Sequence, residues 1–79
     1  METYWVTVAP GGHYSDACQR FGLAKAGQHL VVGFDAWNNW YNEQRFSRVW
    51  VKPPTPAFCG DNYSVAKSVA DELNEGINK

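Results

Sequence analysis

Residues 29–52 read HLVVGFDAWNNWYNEQRFSRVWVK. Both ends of this stretch, 29–34 and 45–52, are rich in β-branched and aromatic residues, the composition of strands. The way they join sets the structure of everything between them. A two-residue turn at Asn38-Asn39 has suitable hairpin chemistry. It pairs Phe34 with Glu43, Val32 with Arg45 and Leu30 with Ser47. A shifted pairing sets Phe34 opposite Phe46, Leu30 opposite Trp50 and Val31 opposite Val49, with Val32 opposite Arg48 as the one mismatch. Register follows the hydrophobic pattern, so the shifted pairing is expected. It leaves residues 35–44, DAWNNWYNEQ, as a connection longer than the usual hairpin loop of about 2–5 residues. That length has room for one helical turn capped by Asp35, with Trp37, Trp40 and Tyr41 at i, i+3 and i+4.

On the N-terminal side, residues 4–9 (YWVTVA) read as a strand with Tyr4, Val6 and Val8 on one face and Trp5, Thr7 and Ala9 on the other. Pro10-Gly11-Gly12 ends it. A helix is predicted over 16–26, capped by Ser15, with Asp16 in its first turn, Lys25 in its last and Gly27 as its stop. Ala17, Phe21 and Ala24 share its apolar face, and Gly22 weakens it by about 1 kcal/mol relative to Ala. On the C-terminal side, Lys52-Pro53-Pro54-Thr55-Pro56 stops the third strand. A last helix is predicted over 64–75, capped by Asp61, Asn62 or Ser64. Val65, Ala66, Val69, Ala70 and Leu73 form its stripe, Gly76 is its C′ residue, and Ile77 folds back on Leu73. The order is then β-α-β-β-α. Residues 1–79 are expected to form a single small α+β domain, a three-stranded sheet with two helices on one face. An open sheet edge is a place for a second copy of the chain to pair, giving a homodimer.

The 79 residues suit one domain with a thin stability margin. Seven Lys and Arg oppose eight Asp and Glu, and a net charge of −1 argues against non-specific nucleic-acid or membrane binding. No apolar run is long enough to span a bilayer, and METYWVTVAP lacks the basic and apolar regions of a signal peptide. A complete, small cytoplasmic protein is expected, with Cys18 and Cys59 as free thiols. Asn62-Tyr63-Ser64 matches a glycosylation pattern that has no meaning without secretion.

The four Trp, four Tyr and four Phe are unevenly spread, and Phe34, Trp37, Trp40, Tyr41, Phe46 and Trp50 make up half of them. A domain this small has little interior in which to hide six rings, and Trp and Tyr favour partner contacts. Trp37, Trp40 and Tyr41, with Asn38, Asn39 and Glu43 among them, are the candidate partner-binding residues. The surrounding polar side chains, which a buried segment struggles to satisfy, favour exposure. The alternative site is Arg45, Phe46, Arg48, Trp50 and Lys52, where rings stack bases and cations hold phosphate. This ring-and-base alternation resembles RNA-binding sheets but lacks their glycine pattern.

Other chemistry is thinly supported. His13, Cys18, His29 and Cys59 do not have the spacing of zinc ligands. Ser15, His13 and Asp16 match a turn and an N-cap as well as they match a catalytic group, and Cys18 with His13 or His29 needs the fold to join them. Pro10-Gly11-Gly12-His13 lacks the Lys-Ser/Thr of a phosphate loop, and 53–56 fits a stiff connector better than a recognised P-x-x-P. No cofactor or metal is called for. The expectation is a non-catalytic protein-binding module, an inhibitor or adaptor acting by occlusion. One form is a phage or mobile-element (viral) protein directed against host machinery, such as a defence-system inhibitor. The alternative is a single-stranded RNA- or DNA-binding protein.

Overall fold

The computed structural model describes residues 3–77, with the backbone alone at Ile77. The elements run β1 (Tyr4–Val8), α1 (His13–Arg20), β2 (His29–Gly33), α2 (Phe34–Gln44), β3 (Phe58–Gly60) and α3 (Tyr63–Ile77). The strands form one antiparallel sheet in the order β1-β2-β3. Trp5 lies opposite Val32 and Thr7 opposite Leu30; on the other side Leu30 lies opposite Cys59 and Val31 opposite Phe58.

The chain is thus a small α+β domain on a three-stranded sheet, with two departures from the expected order. The first is the third strand, which is 58–60 and not 45–52. The pairings of Phe34 with Phe46, Leu30 with Trp50 and Val31 with Val49 do not form, and neither does the Asn38-Asn39 turn. Both flanks of β2 are occupied, by β1 and by β3, so no ladder is left for 45–52. Leu30, Val31 and Val32 are all at most 2% exposed. Such an unbroken apolar run is what a strand covered on both faces needs.

The second departure is α2, a helix of three turns where one was expected, which makes the order β-α-β-α-β-α. It also changes the layers. α1 and α2 share one face of the sheet, where Tyr14, Ala17, Cys18 and Trp40 pack on Leu30 and Val32. α3 covers the other face, where Ala66 and Ala70 pack on Val31 beside Tyr4, Val6 and Phe58. The alternation of β1 holds: Trp5 packs with the first cluster, Tyr4 and Val6 with the second.

The helix ends are set by local chemistry. α1 starts at His13 with Gly12 as its N-cap and no side-chain cap; Ser15, the expected cap, lies inside the helix, buried with its Oγ 2.9 Å from Thr7 Oγ1. α1 ends at Arg20, not at Gly27. Leu23 N–H donates to Cys18 O and Gly22 N–H to Gln19 O, the paired bonds of a Schellman motif. Gly22 sits at φ +74, the left-handed conformation this C′ position requires. Phe21 is accordingly the C-cap and 40% exposed, off the expected apolar face, while Ala17 and Ala24 are buried. Gly11 is held by a close approach, since a Cβ there would collide with the Val8 carbonyl.

α3 is capped by Asn62, whose Oδ1 accepts from Val65 N–H at 3.3 Å. The small residues Ala66 and Ala70 bring it close to Val31. Val69 and Leu73 are only half-buried and Val65 is exposed, so the expected stripe is narrower than drawn. The helix continues through Gly76 to Ile77, and the expected fold-back of the Ile77 side chain lies outside the described residues. Asn74 reaches the outer edge of β1, accepting from Tyr4 N–H at 2.7 Å and donating to Tyr4 O at 3.0 Å. It occupies one rung of the β1 edge, the side of that strand that β2 does not pair.

Candidate functional site

α2 divides the predicted aromatic site in two. Helical spacing puts Phe34, Trp37 and Tyr41 along one side and turns Trp40 inward. Trp40 is 3% exposed, packs edge-on against Tyr14 at 5.7 Å, and donates its indole N–H to Val51 O at 2.9 Å. It is a core residue and has no surface for a partner. The expectation of an exposed Trp40 fails because the loop after α2 returns to satisfy its N–H, which is what a buried indole requires. Tyr14 donates to Pro54 O at 2.8 Å, and these two bonds tie residues 51–54 to α1 and α2 instead of to the sheet.

Trp37 and Tyr41 are half-buried and stack on each other, with centroids 5.0 Å apart and planes 12° apart. Trp5 meets Trp37 edge-on at 5.6 Å, and Phe34, 45% exposed, flanks both. Asn38 is half-buried, while Asn39 and Glu43 face solvent. The structure therefore keeps Trp37 and Tyr41 together and accessible, adds Trp5 to them, and removes Trp40.

The alternative residues lie on a loop. Gln44 at the end of α2 bridges it, donating from Nε2 to Val49 O at 3.1 Å and accepting at Oε1 from Val51 N–H at 2.7 Å. Ser47 Oγ donates to Val49 O at 2.8 Å, and Ser47 N–H donates to Gln44 O. These bonds use the backbone groups a strand would need and hold Phe46 and Val49 outward, 82% and 71% exposed. Arg45, Arg48 and Lys52 are exposed around them. The Arg45 guanidinium lies over Phe46 at 5.0 Å and that of Arg20 over Trp50 at 4.7 Å.

Two clefts run between these groups. One, of about 360 Å³, has the Thr7–Ser15 hydroxyl pair and the rings of Trp5, Trp37, Tyr41 and His13 as its walls. The other, of about 370 Å³, lies between His13, Tyr41, Gln44, Arg45 and Trp50. They meet at His13 and Tyr41, whose ring centroids are 6.5 Å apart. Trp5 and His13 were not picked out from sequence as members of one site. The signal for Trp5 was its place beside Thr7 on a strand face; nothing local marks His13.

Burial pushes the Cys18 and Cys59 thiols up, which disfavours the thiolate that nucleophilic chemistry needs. Cys59 instead lies 3.1 Å from Gln28 Oε1. His29 lies against Tyr63, 5.6 Å between centroids. Among the described residues no group of three His, Cys, Asp or Glu is placed to hold a metal ion, and no helix is long and apolar enough to cross a membrane. Comparison with protein-family models, curated proteins and solved structures returns no match.

Proposed function

We propose that this protein is a non-catalytic protein-binding module, an inhibitor or adaptor that acts by covering the surface it docks on. The observation that carries this is the 45–50 loop. Phe46 and Val49 are the two most exposed of the large hydrophobic residues described, at 82% and 71%, and Gln44 and Ser47 fix the loop that presents them. A fixed loop loses little conformational entropy on binding, so its apolar tip translates into affinity. Arg45 and Arg48 beside the tip suit a partner whose apolar pocket is rimmed by carboxylates. Trp37 and Tyr41 form a second, flatter contact area on α2. A phage or mobile-element inhibitor of host machinery is one form of this proposal. Pairing of two copies along β1 beyond the rung held by Asn74 is a further form, read by the oligomeric state in solution.

The test places a photo-crosslinking side chain at position 49 and, as a control, at Glu72 on α3, and exposes both proteins to host lysate. A discrete adduct from position 49 alone is expected. The captured partner should then bind Phe46→Ala at least tenfold more weakly, a loss of about 1.4 kcal/mol or more. The circular dichroism of that variant should match the parent. Equal affinity for Phe46→Ala and the parent overturns the loop as the site.

A further inference from the structure

The trough formed by the two clefts carries a separate inference. The rings of Trp5, Trp37, Tyr41 and His13 line one opening, and those of His13, Tyr41 and Trp50 line the other. No carboxylate among the described residues lines either opening. The chain has one more acid than base, so this is segregation and not composition. Arg45 lines one end, Arg20 lies over Trp50 there, and Arg48 and Lys52 are exposed on the adjoining loop, four of the seven Lys and Arg in the chain. Asp35 and Glu43 face solvent, and Asp71, Glu72 and Glu75 belong to α3, across the sheet. Asp16 lines a different depression with Gln19 and Arg20.

We propose that this trough binds single-stranded nucleic acid. Bases stack on the ring faces that the Trp37–Tyr41 stack and the Arg20 guanidinium over Trp50 leave open, and the backbone phosphates pass along Arg45, Arg20 and Arg48. Several rings lining two adjoining openings, with cations at one end, fit a strand; a mononucleotide would use one ring and leave the others idle. Stacking on aromatic side chains tolerates any base, so binding is expected without strong sequence preference. A duplex, whose bases already stack on each other, has no use for the rings. The site shares Trp37, Tyr41, Arg45 and Arg48 with the surface proposed for a protein partner, but Phe46 and Val49, which carry that proposal, line neither opening.

The experiment uses the full chain and a fluorescein-labelled oligothymidylate of about 12 nucleotides, within the span that single-strand grooves engage. Anisotropy should give a micromolar Kd at low salt that weakens with ionic strength, log K falling by about 0.7 per log salt for each phosphate neutralised. Arg45→Glu with Arg48→Glu, both at exposed positions, should weaken binding at least tenfold and flatten the salt slope by about one to two phosphates' worth. Trp50→Ala should weaken binding while leaving the slope unchanged. Val49→Ser, expected to weaken docking of the protein partner, should leave oligonucleotide binding as it is, so the two proposals fail separately. A Kd weaker than about 100 µM at low salt overturns the inference. So does equal binding of a duplex, or indifference to the arginine changes.

Discussion

Trp40 and Phe46 belong to one aromatic stretch and meet opposite surroundings. One is 3% exposed and the other 82%, although residue type alone would class the two together. The difference lies in what the chain does after α2. It turns at the loop and comes back with Val51 O against the Trp40 indole, which closes that ring into the core. Trp40→Ala should therefore cost about 3–5 kcal/mol, as removal of a buried large aromatic does, and chemical denaturation will measure it. Trp40→Phe should cost less, about 1–3 kcal/mol, largely from the orphaned Val51 carbonyl. A Trp40→Ala protein as stable as the parent would place that ring at the surface. Tyr14, the neighbour of Trp40, makes a pH prediction. Burial first, then its hydrogen bond with Cys18 and the nearby thiols, push its phenol far above the ordinary value. A raised acid favours the fold while protonated. Its contribution is full below about pH 10 and is lost as pH rises from there through the folded-state value. The difference spectrum between the parent and Tyr14→Phe should show no phenolate absorbance at about pH 11 in the folded state, and should gain it on unfolding. Phenolate absorbance in the folded protein at that pH would show Tyr14 to be solvated.

At the scale of elements, β1, β2 and α3 were legible, and α2 and β3 were not. β1 and β2 carry β-branched runs bounded by Gly, and α3 has a clear stripe and an Asn62 cap. α2 offers no such marks. Gly33 precedes it without a side-chain cap, its Asn pair has hairpin-turn chemistry, and its apolar residues other than Ala36 are aromatic, which have only middling helix propensity. Its stability comes from packing Trp40 and Trp37 on the sheet, a tertiary effect that local patterns do not contain. β3 is three residues ending in Gly, too short to compete with RFSRVWVK on propensity. That stronger segment lost because Gln44 and Ser47 take its backbone groups and both flanks of β2 are filled. The same physics left the candidate site half legible: Trp37, Tyr41 and the Arg45–Arg48 group survive as surface, while Trp5 joins them from β1 and His13 from the start of α1, placements made only by the tertiary fold. A helix and a turn make opposite demands on Asn39. In an exposed mid-helix position Asn39→Ala should stabilise by about 0.5 kcal/mol, raising Tm by about 2–4 °C. In a tight turn the same change would lower it.

For the whole molecule, the decisive feature is that one strand serves two cores. Leu30 and Val32 face α1 and α2, and Val31 faces α3, so β2 belongs to both hydrophobic clusters. Neither cluster is large, and a domain of this size has a thin margin of stability. If either helical layer detached, β2 would expose apolar surface on that side, and the remaining layer would have to hold a sheet open to water. The two layers should therefore unfold together. The tryptophans make this measurable. Trp5, Trp37 and Trp40 pack in or against the first cluster, and Trp50 lies beneath Arg20 of α1, so all four report the α1–α2 side. The longest helix, α3, lies on the other side and has no Trp. Fluorescence thus follows one face of the sheet, while far-ultraviolet circular dichroism draws much of its helical signal from the opposite one. The two probes should give coincident denaturation curves with one midpoint and one slope, the behaviour of a two-state domain. Val31→Ala, whose side chain touches only the α3 side, should shift both curves equally. An α3 signal that melts ahead of the fluorescence, in the parent or in that variant, would show that the two faces are independent and that β2 does not couple them.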